Sequence, residues 1–302
     1  MKTRVLLFAL LFTGIISYAQ QDAQFSQYMY NTININPAYA GSREAMSIFA
    51  LHRTQWVGLG GAPVTNAVSV NTPLNDSNLG LGVSIINDKI GPTRENTISA
   101  DLSYTIPTSE TFKLSFGIKA TANLFHLDVT QLNPVDDDPS LHDYNNKFSP
   151  NIGAGIYYHS DKGYVGLSVP NFIESNRYDD NEVRIFKEKI NYYLIGGYVF
   201  DLNELVKFKP ALLTKMVYGA PLQVDVSGNF MFNNKFMVGI AYRWSAALSG
   251  MVGFQVSDSL YIGYGYDRET TNLKNYNSGS HEIFLRYEIF NNIDKITISR
   301  FF

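Results

Sequence analysis

The chain contains no cysteine among its 302 residues. This absence excludes a scaffold held by disulfides and any metal site built on thiolates. The net charge is also small, because 24 lysines and arginines stand against 27 aspartates and glutamates. The composition therefore gives no sign of the broad basic surface that nucleic-acid-binding proteins carry.

Long hydrophobic runs are scarce as well. Beyond the N-terminus, no segment offers the roughly 20 consecutive apolar residues that a membrane-spanning helix needs. The one apolar run, Val5 to Ile16, follows two basic residues and ends in Ser-Tyr-Ala at 17–19. This order is typical of a secretory signal peptide. We therefore expect residues 1–19 to be removed and the exported chain to begin at Gln20.

What the chain does have is a two-residue alternation of apolar and polar side chains. Between Thr97 and Ile106 every second residue is apolar and the residues between them are polar. This is the period of a β-strand with two unlike faces. The pattern recurs almost to the C-terminus, and the clear charges fall on its polar phase. These charges are Lys113, Lys119, Lys207, Lys209, Lys215, Asp225, Arg243, Glu282, Arg286 and Glu288.

Two classes of protein use such strands. A secreted β-sandwich turns the apolar face inward, whereas a membrane barrel turns it towards lipid. Charge placement agrees with both, because each excludes charges from the apolar face. The 20 tyrosines and 20 phenylalanines favour the barrel, whose strands carry aromatic girdles at the lipid–water interfaces. The signal peptide agrees with this choice, and a large secreted β-protein remains the alternative.

The connections predict the topology of the barrel. Links after even-numbered strands are tight and rich in turn residues, as at Asn233 and Asn234. Links after odd-numbered strands are often long. The long links are Arg53–Pro63, Asp88–Asn96, Leu124–Pro150, Pro170–Ile190 and Asp267–His281. Outer-membrane barrels combine short periplasmic turns with longer external loops. We therefore predict an all-β fold: a transmembrane antiparallel β-barrel of about 14 strands over residues 44–290, in the outer membrane, with both termini periplasmic.

No residue set points to catalysis, a cofactor or a metal. The five histidines lack metal-ligand spacing, and His159, Ser160 and Asp161 cannot converge because neighbouring strand side chains point to opposite faces. The acidic run at 136–138, with Asp143 nearby, lacks the alternating ligands and turn glycine of a calcium loop. The strand glycines precede no helix with a Lys-Ser/Thr pair, so a nucleotide site is not indicated. We expect a protein that is not an enzyme and has no cofactor.

Several short motifs are more specific. Residues 34–41 read Asn-Ile-Asn-Pro-Ala-Tyr-Ala-Gly, which predicts an ordered turn rather than a helix. Together with four further stretches, this motif resembles the PorP/SprF family of type IX secretion system membrane proteins. The further stretches are Arg53–Pro63, Asn87–Thr93, Asn146–Pro150 and Ser278–Glu282, and the end of the chain, Ser299–Phe302, is also similar. One departure is Ala23, where the family usually has proline.

The resemblance implies an accessory role in protein export. Family members are outer-membrane barrels that assist secretion or surface attachment of a particular cargo protein, such as a gliding adhesin, through the cargo's C-terminal domain. The implied partners are that domain, other components of the type IX translocon and outer-membrane lipid, with no nucleic acid. A general outer-membrane porin or solute channel is the alternative function, because the same barrel serves both.

Two further predictions concern the segments outside the barrel wall. Residues 20–43 are too irregular for a membrane strand and too apolar for a free tail, although a disordered leader is the alternative. We predict that this segment packs into the lumen or across the periplasmic mouth, anchored by Tyr28, Tyr30, Pro37 and Tyr39. We expect residues 291–302 to form a C-terminal periplasmic tail.

The external loops are the predicted partner surface, because loops on a rigid scaffold commonly carry binding residues and aromatic residues are enriched at interfaces. Loop packing over the barrel mouth is the alternative for Trp56 and Phe148. The candidate contact residues are Gln55, Trp56, Lys89, Arg94, Tyr144, Lys147, Phe148, Tyr178 and Arg184.

Overall fold

The structure is a computed structural model that describes residues 28–74, 77–128, 130, 143–174, 189–290 and 301. The predicted signal peptide, the acidic run at 136–138, Tyr178 and Arg184 lie outside these residues, as does the side chain of Tyr144. Within the described ranges, no helix is long and apolar enough to cross a membrane.

Fourteen antiparallel strands form a closed barrel in the described part of the chain, as the sequence predicts. They are β1 (Met46–Thr54), β2 (Val64–Pro73), β3 (Leu79–Ile90), β4 (Thr93–Pro107), β5 (Lys113–Leu127), β6 (Tyr144–His159), β7 (Gly163–Val169), β8 (Asn191–Tyr198, continued by Phe200–Asp201), β9 (Val206–Val217), β10 (Gln223–Phe232), β11 (Phe236–Arg243), β12 (Ala247–Gln255), β13 (Leu260–Glu269) and β14 (Ser280–Ile289).

The strands form a simple meander, because each one pairs with the next along the chain. The barrel closes where β14 pairs with β1, with Met46 opposite Ile289 and Thr54 opposite His281. This pairing removes the two free edges that an open sheet would have at β1 and β14, as a strand-built membrane protein requires.

Side-chain burial confirms the alternation. On β4 and β5, Ile98, Leu102 and Ile118 are exposed on the outside of the barrel, whereas Asp101 and Lys119 are buried inside it. All ten charges that the sequence places on the polar phase share the phase of the buried, inward-facing residues of their strands. The outer surface between the mouths is therefore an apolar band that suits lipid.

The predicted loops are partly wrong. The link assigned to Asp88–Asn96 is mostly strand, since β3 and β4 are joined by Gly91 and Pro92 alone, and β6 begins at Tyr144 rather than Asn151. Both faces are polar here, as the hydrogen bond from Asn87 to Asn96 at 2.7 Å illustrates. A hairpin that projects beyond the apolar band meets water on both sides, so its alternation disappears while its backbone pairing continues.

The two mouths of the barrel differ. One, which we call the long-link mouth, contains the strand ends that flank residues 55–63, 128–143, 170–190 and 270–279, together with those that flank shorter links. The other, the short-turn mouth, carries the links at 74–78, 108–112, 160–162, 202–205, 233–235 and 256–259. The start of β1 and the end of β14 both lie at the short-turn mouth.

Candidate functional site: a lumenal segment and the chamber beside it

The barrel interior contains a segment of the chain that precedes β1. Residues 28–45, which we call the lumenal segment, form three short 3-10 turns at Tyr28–Tyr30, Thr32–Asn34 and Pro37–Tyr39. The last turn starts as its sequence predicts, because Pro37 occupies the first position and the Asn36 side chain accepts a hydrogen bond from the Ala38 amide. The anchors Tyr28, Tyr30, Pro37 and Tyr39 are all buried.

Inward-facing side chains hold this segment from one half of the barrel wall. Ser69 on β2 donates to the Asn31 side chain at 3.1 Å. Three more wall residues donate to backbone carbonyls of the segment. They are Ser103 to Ala40 at 2.7 Å, Lys119 to Ile33 at 3.1 Å and Ser168 to Ile35 at 2.6 Å. Strands β2, β4, β5 and β7 therefore bind the segment mainly through its backbone.

Glycines in the wall make room for the same backbone. A Cβ at Gly117 would lie 2.2 Å from the Ala38 nitrogen, and one at Gly80 would lie 2.3 Å from the Ala40 oxygen. Real Cβ atoms do not approach so closely, so glycine is required here by close approach rather than by backbone conformation.

Aromatic rings hold the opposite side of the segment. Tyr30 stacks on Phe284 with ring centroids 4.9 Å apart, and its hydroxyl lies 3.4 Å from that of Tyr261. Burial raises the pKa of both the Tyr28 and the Tyr30 hydroxyl above the ordinary tyrosine value.

Lys209 on β9 contacts both Tyr30 of the lumenal segment and Phe301 near the C-terminus. The Lys209 ammonium donates a hydrogen bond to the Phe301 carbonyl oxygen at 2.5 Å and lies over the rings of Phe301 and Tyr30 at 4.6 and 4.7 Å. Phe301 is buried in the interior cluster, whereas the sequence predicts a periplasmic tail at this position. The difference arises because Lys209 and the other residues of the interior cluster come together only in the closed barrel.

Buried ion pairs line the remaining lumen. Arg53 on β1 contacts Asp267 at 2.7 Å and Glu282 at 3.0 Å, so strands β1, β13 and β14 are joined across the closure of the barrel. Lys119 contacts Asp101 at 3.1 Å and Arg243 contacts Asp225 at 3.0 Å. Such pairs contribute more to the relative position of the strands than to the free energy of unfolding, because desolvation offsets much of the attraction.

A chamber lies between the lumenal segment and the long-link mouth. Its empty volume is about 1030 Å³, which includes space open to solvent. Asn31 and Asn34 of the segment line its base, Asp88 and Glu95 line one wall, and other side chains complete it. Among these are Tyr28, Thr121, Asn171, Tyr193, Lys215, Gln223 and Arg243.

The predicted contact residues that the structure describes lie along one arc of the long-link mouth. Gln55 and Trp56 follow β1, and the Trp56 indole nitrogen donates to Glu269 at 2.9 Å. Residue 61, in the same link, accepts a hydrogen bond from residue 91 of the β3–β4 turn.

The remaining described candidates are on strands rather than loops, because the hairpins project further than predicted. They are Lys89 and Arg94, opposite each other on β3 and β4, and Tyr144, Lys147 and Phe148 on β6. Phe148 is 60% exposed on the outer face.

The chamber residues are the ones that sequence reasoning missed. The alternation predicts Lys215 and Arg243 as polar-phase charges, but it places Asn34 in a turn and Asp88 and Glu95 in a loop. Asp88 and Glu95 share one signal, which is a polar side chain on the inward phase of a strand near its long-link end. That signal is readable only once the true strand ends are known.

Comparison with known proteins agrees with this architecture. The family described as "Type IX secretion system membrane protein PorP/SprF" matches residues 17–287. Among solved structures, the CymD monoaromatic hydrocarbon channel is similar at 13% identity and a TM-score of 0.50, covering 91% of this chain and 95% of its own.

Omp33 of Acinetobacter baumannii is 8% identical with a TM-score of 0.49, covering 82% of this chain and 99% of its own. The CymD likeness shows the fold alone. The search of curated proteins found no significant match.

Proposed function

Because the chain belongs to the PorP/SprF family of type IX secretion system membrane proteins, we propose that it is an outer-membrane accessory that assists secretion or surface attachment of one particular cargo protein. The cargo's C-terminal domain is the proposed contact, and a gliding adhesin is the proposed kind of cargo. The role needs binding alone, so neither catalysis nor a cofactor is part of the proposal.

The observation that carries this choice over a solute channel is the occupied lumen. The lumenal segment is bound to both halves of the wall, through hydrogen bonds to β2–β7 and aromatic contacts to β13 and β14. A barrel of this size leaves a pathway only where its interior stays open. A channel remains the second candidate because the CymD channel has the same fold.

We propose that the long-link mouth faces the cell exterior and that both termini are periplasmic. Short periplasmic turns and longer external loops are the usual arrangement in outer-membrane barrels. Protease treatment of intact cells should cleave a tag inserted near Asp137 and spare one near Asn233. Cleavage at Asn233 alone would reverse the orientation.

The exposed part of the arc is the proposed contact surface for cargo. Half-buried Trp56 and exposed Phe148 supply aromatic area, and Lys89 and Arg94 supply positive charge on a projecting hairpin. Aromatic residues and arginine are common at binding hot spots.

Deletion of the gene tests the proposed function. The surface proteins of the deletion strain, measured by mass spectrometry, should lose one or a few large proteins while other type IX cargo remains. The re-expressed tagged barrel should restore them and co-purify with them from membranes. An unchanged surface proteome, together with steady conductance of the purified barrel, would favour the channel.

A further inference from the structure

We propose that the chamber between the lumenal segment and the long-link mouth is a binding site for an extended peptide segment of mixed charge. The proposal rests on the proposed function, because it names the part of a cargo protein that the barrel would hold. The chamber is separate from the arc of projecting residues, which lies outside the lumen.

The base of the chamber presents amide groups without partners. Among the residues that the structure describes, neither the nitrogen nor the oxygen of the Asn34 carboxamide has a hydrogen-bond partner, and both atoms are buried. The Asn31 side-chain nitrogen is also buried without a partner, although its oxygen accepts from Ser69. Unpaired buried polar groups are rare and commonly mark a ligand or a functional site.

The chemistry of these amides matches a peptide bond. A carboxamide offers one acceptor and donors in one plane, so Asn34 can accept from a peptide N–H and donate to a peptide C=O. The match does not depend on which way the amide is flipped, because both of its polar atoms are free to pair. Asn31 adds a further donor for a carbonyl oxygen.

Two opposite sides of the chamber carry side chains of opposite charge. Asp88 on β3 and Glu95 on β4 face the chamber from one side. Lys215 on β9 and Arg243 on β11 face it from strands about half the barrel away, and Arg243 pairs with Asp225. A field across the chamber orients a ligand that carries both signs of charge, which a peptide segment does and a neutral sugar does not.

The lumenal segment lies at one end of the chamber. The lumenal segment closes it below, where its backbone is tied to Lys119 and Ser168. A bound peptide therefore enters and leaves through the long-link mouth and is not threaded through the barrel. This geometry suits the retention of a chain end or loop of the cargo better than the passage of the cargo chain through the barrel.

Site-specific photo-crosslinking in cells tests the inference. A benzophenone amino acid replaces Thr121, which lines the chamber, and in a matched control it replaces Thr105, which lines the short-turn mouth. Irradiation should link Thr121-substituted barrel to a peptide of a secreted protein and leave the control without that product. Links only to the barrel itself, or to lipopolysaccharide or another glycan, would overturn the peptide assignment.

A second variant covers the case in which the benzophenone perturbs the barrel. The crosslinked peptide is synthesised and its affinity is measured for purified wild type, Asn34→Leu and the control Asn78→Leu at the opposite mouth. Asn34→Leu should bind roughly tenfold more weakly and the control should match wild type. Equal affinity in all three, or no peptide recovered at any chamber position, would overturn the site.

The two proposals fail differently. If deletion of the gene removes cargo from the surface but the chamber crosslinks to no peptide, the accessory function stands and the chamber site falls. If deletion leaves every surface protein in place while the chamber still crosslinks to a peptide, the accessory function falls and the chamber site stands.

Discussion

The ammonium group of Lys119, on β5, bridges the barrel wall and the lumenal segment: it donates to the carbonyl oxygen of Ile33 at 3.1 Å and pairs with Asp101 at 3.1 Å. Lys119 and Asp101 are both buried, so one cation satisfies a wall carboxylate and the backbone of the segment together. The position of the segment and the stability of the wall are therefore linked through this residue.

Lys119→Met should destabilise the barrel strongly. The change leaves the Asp101 carboxylate buried without its cation, which costs about 3–5 kcal/mol. Urea unfolding in lipid vesicles measures the free energy of unfolding. Lys113→Met is the matched control, because its pair with Glu44 is exposed and contributes about 0–1 kcal/mol. Similar losses for both variants would contradict the burial argument.

Gly117→Ala should displace the lumenal segment, because the new Cβ would meet the Ala38 nitrogen at 2.2 Å. Limited proteolysis of the folded barrel should then cut within residues 28–45 faster than in wild type. Gly250→Ala is the control, since a Cβ there has no neighbour within 4 Å. Equal protection of the segment in both variants would show that the wall adapts to the methyl group.

Removal of residues 28–42 should open the barrel to ions. The wild-type protein in planar bilayers should conduct little, because the segment fills the lumen, and the deletion variant should conduct steadily. A denaturant titration checks that the variant retains a folded barrel. Wild-type conductance as large as that of the deletion variant would support the channel.

Alkaline pH should weaken the barrel through Tyr28. Its pKa is raised by burial, so the folded state keeps a proton that the unfolded state loses above pH about 10. The stabilisation is complete below that pH and falls by about 1.4 kcal/mol per unit above it, until pH reaches the folded-state pKa. Between pH 8 and 11, the free energy of unfolding measured with urea should fall less steeply for Tyr28→Phe than for wild type. An identical slope in both proteins would mean that Tyr28 ionises normally.

Trp56→Ala should lower cargo display without lowering barrel abundance, because the indole lies on the proposed contact arc. Surface labelling of the cargo and immunoblotting of the barrel measure the two quantities separately. The control is Trp244→Ala, since this second tryptophan is exposed in the turn after β11, outside the proposed contact arc. A parallel fall in abundance would assign Trp56 to loop structure, through its bond to Glu269.

Much of the wall was readable from sequence. The phase of Ile98 and Lys119, the tight turn at Asn233 and the count of strands follow from local patterns, because a strand between lipid and water must alternate. The ends of β3, β4 and β6 were not readable. Their side chains face water on both sides, so residues such as Lys89 and Arg94 look like loop residues even though they are paired.

The sequence by itself determined a β-barrel with an irregular, apolar N-terminal segment, because alternation, turn chemistry and the Asn-Pro motif are local properties. Only the tertiary structure decided what the lumen contains. Ile33 meets Lys119, Phe301 meets Lys209 and Asn34 meets the chamber across separations that no local pattern encodes. These contacts exist only after the barrel closes, since closure brings distant inward faces around one small volume.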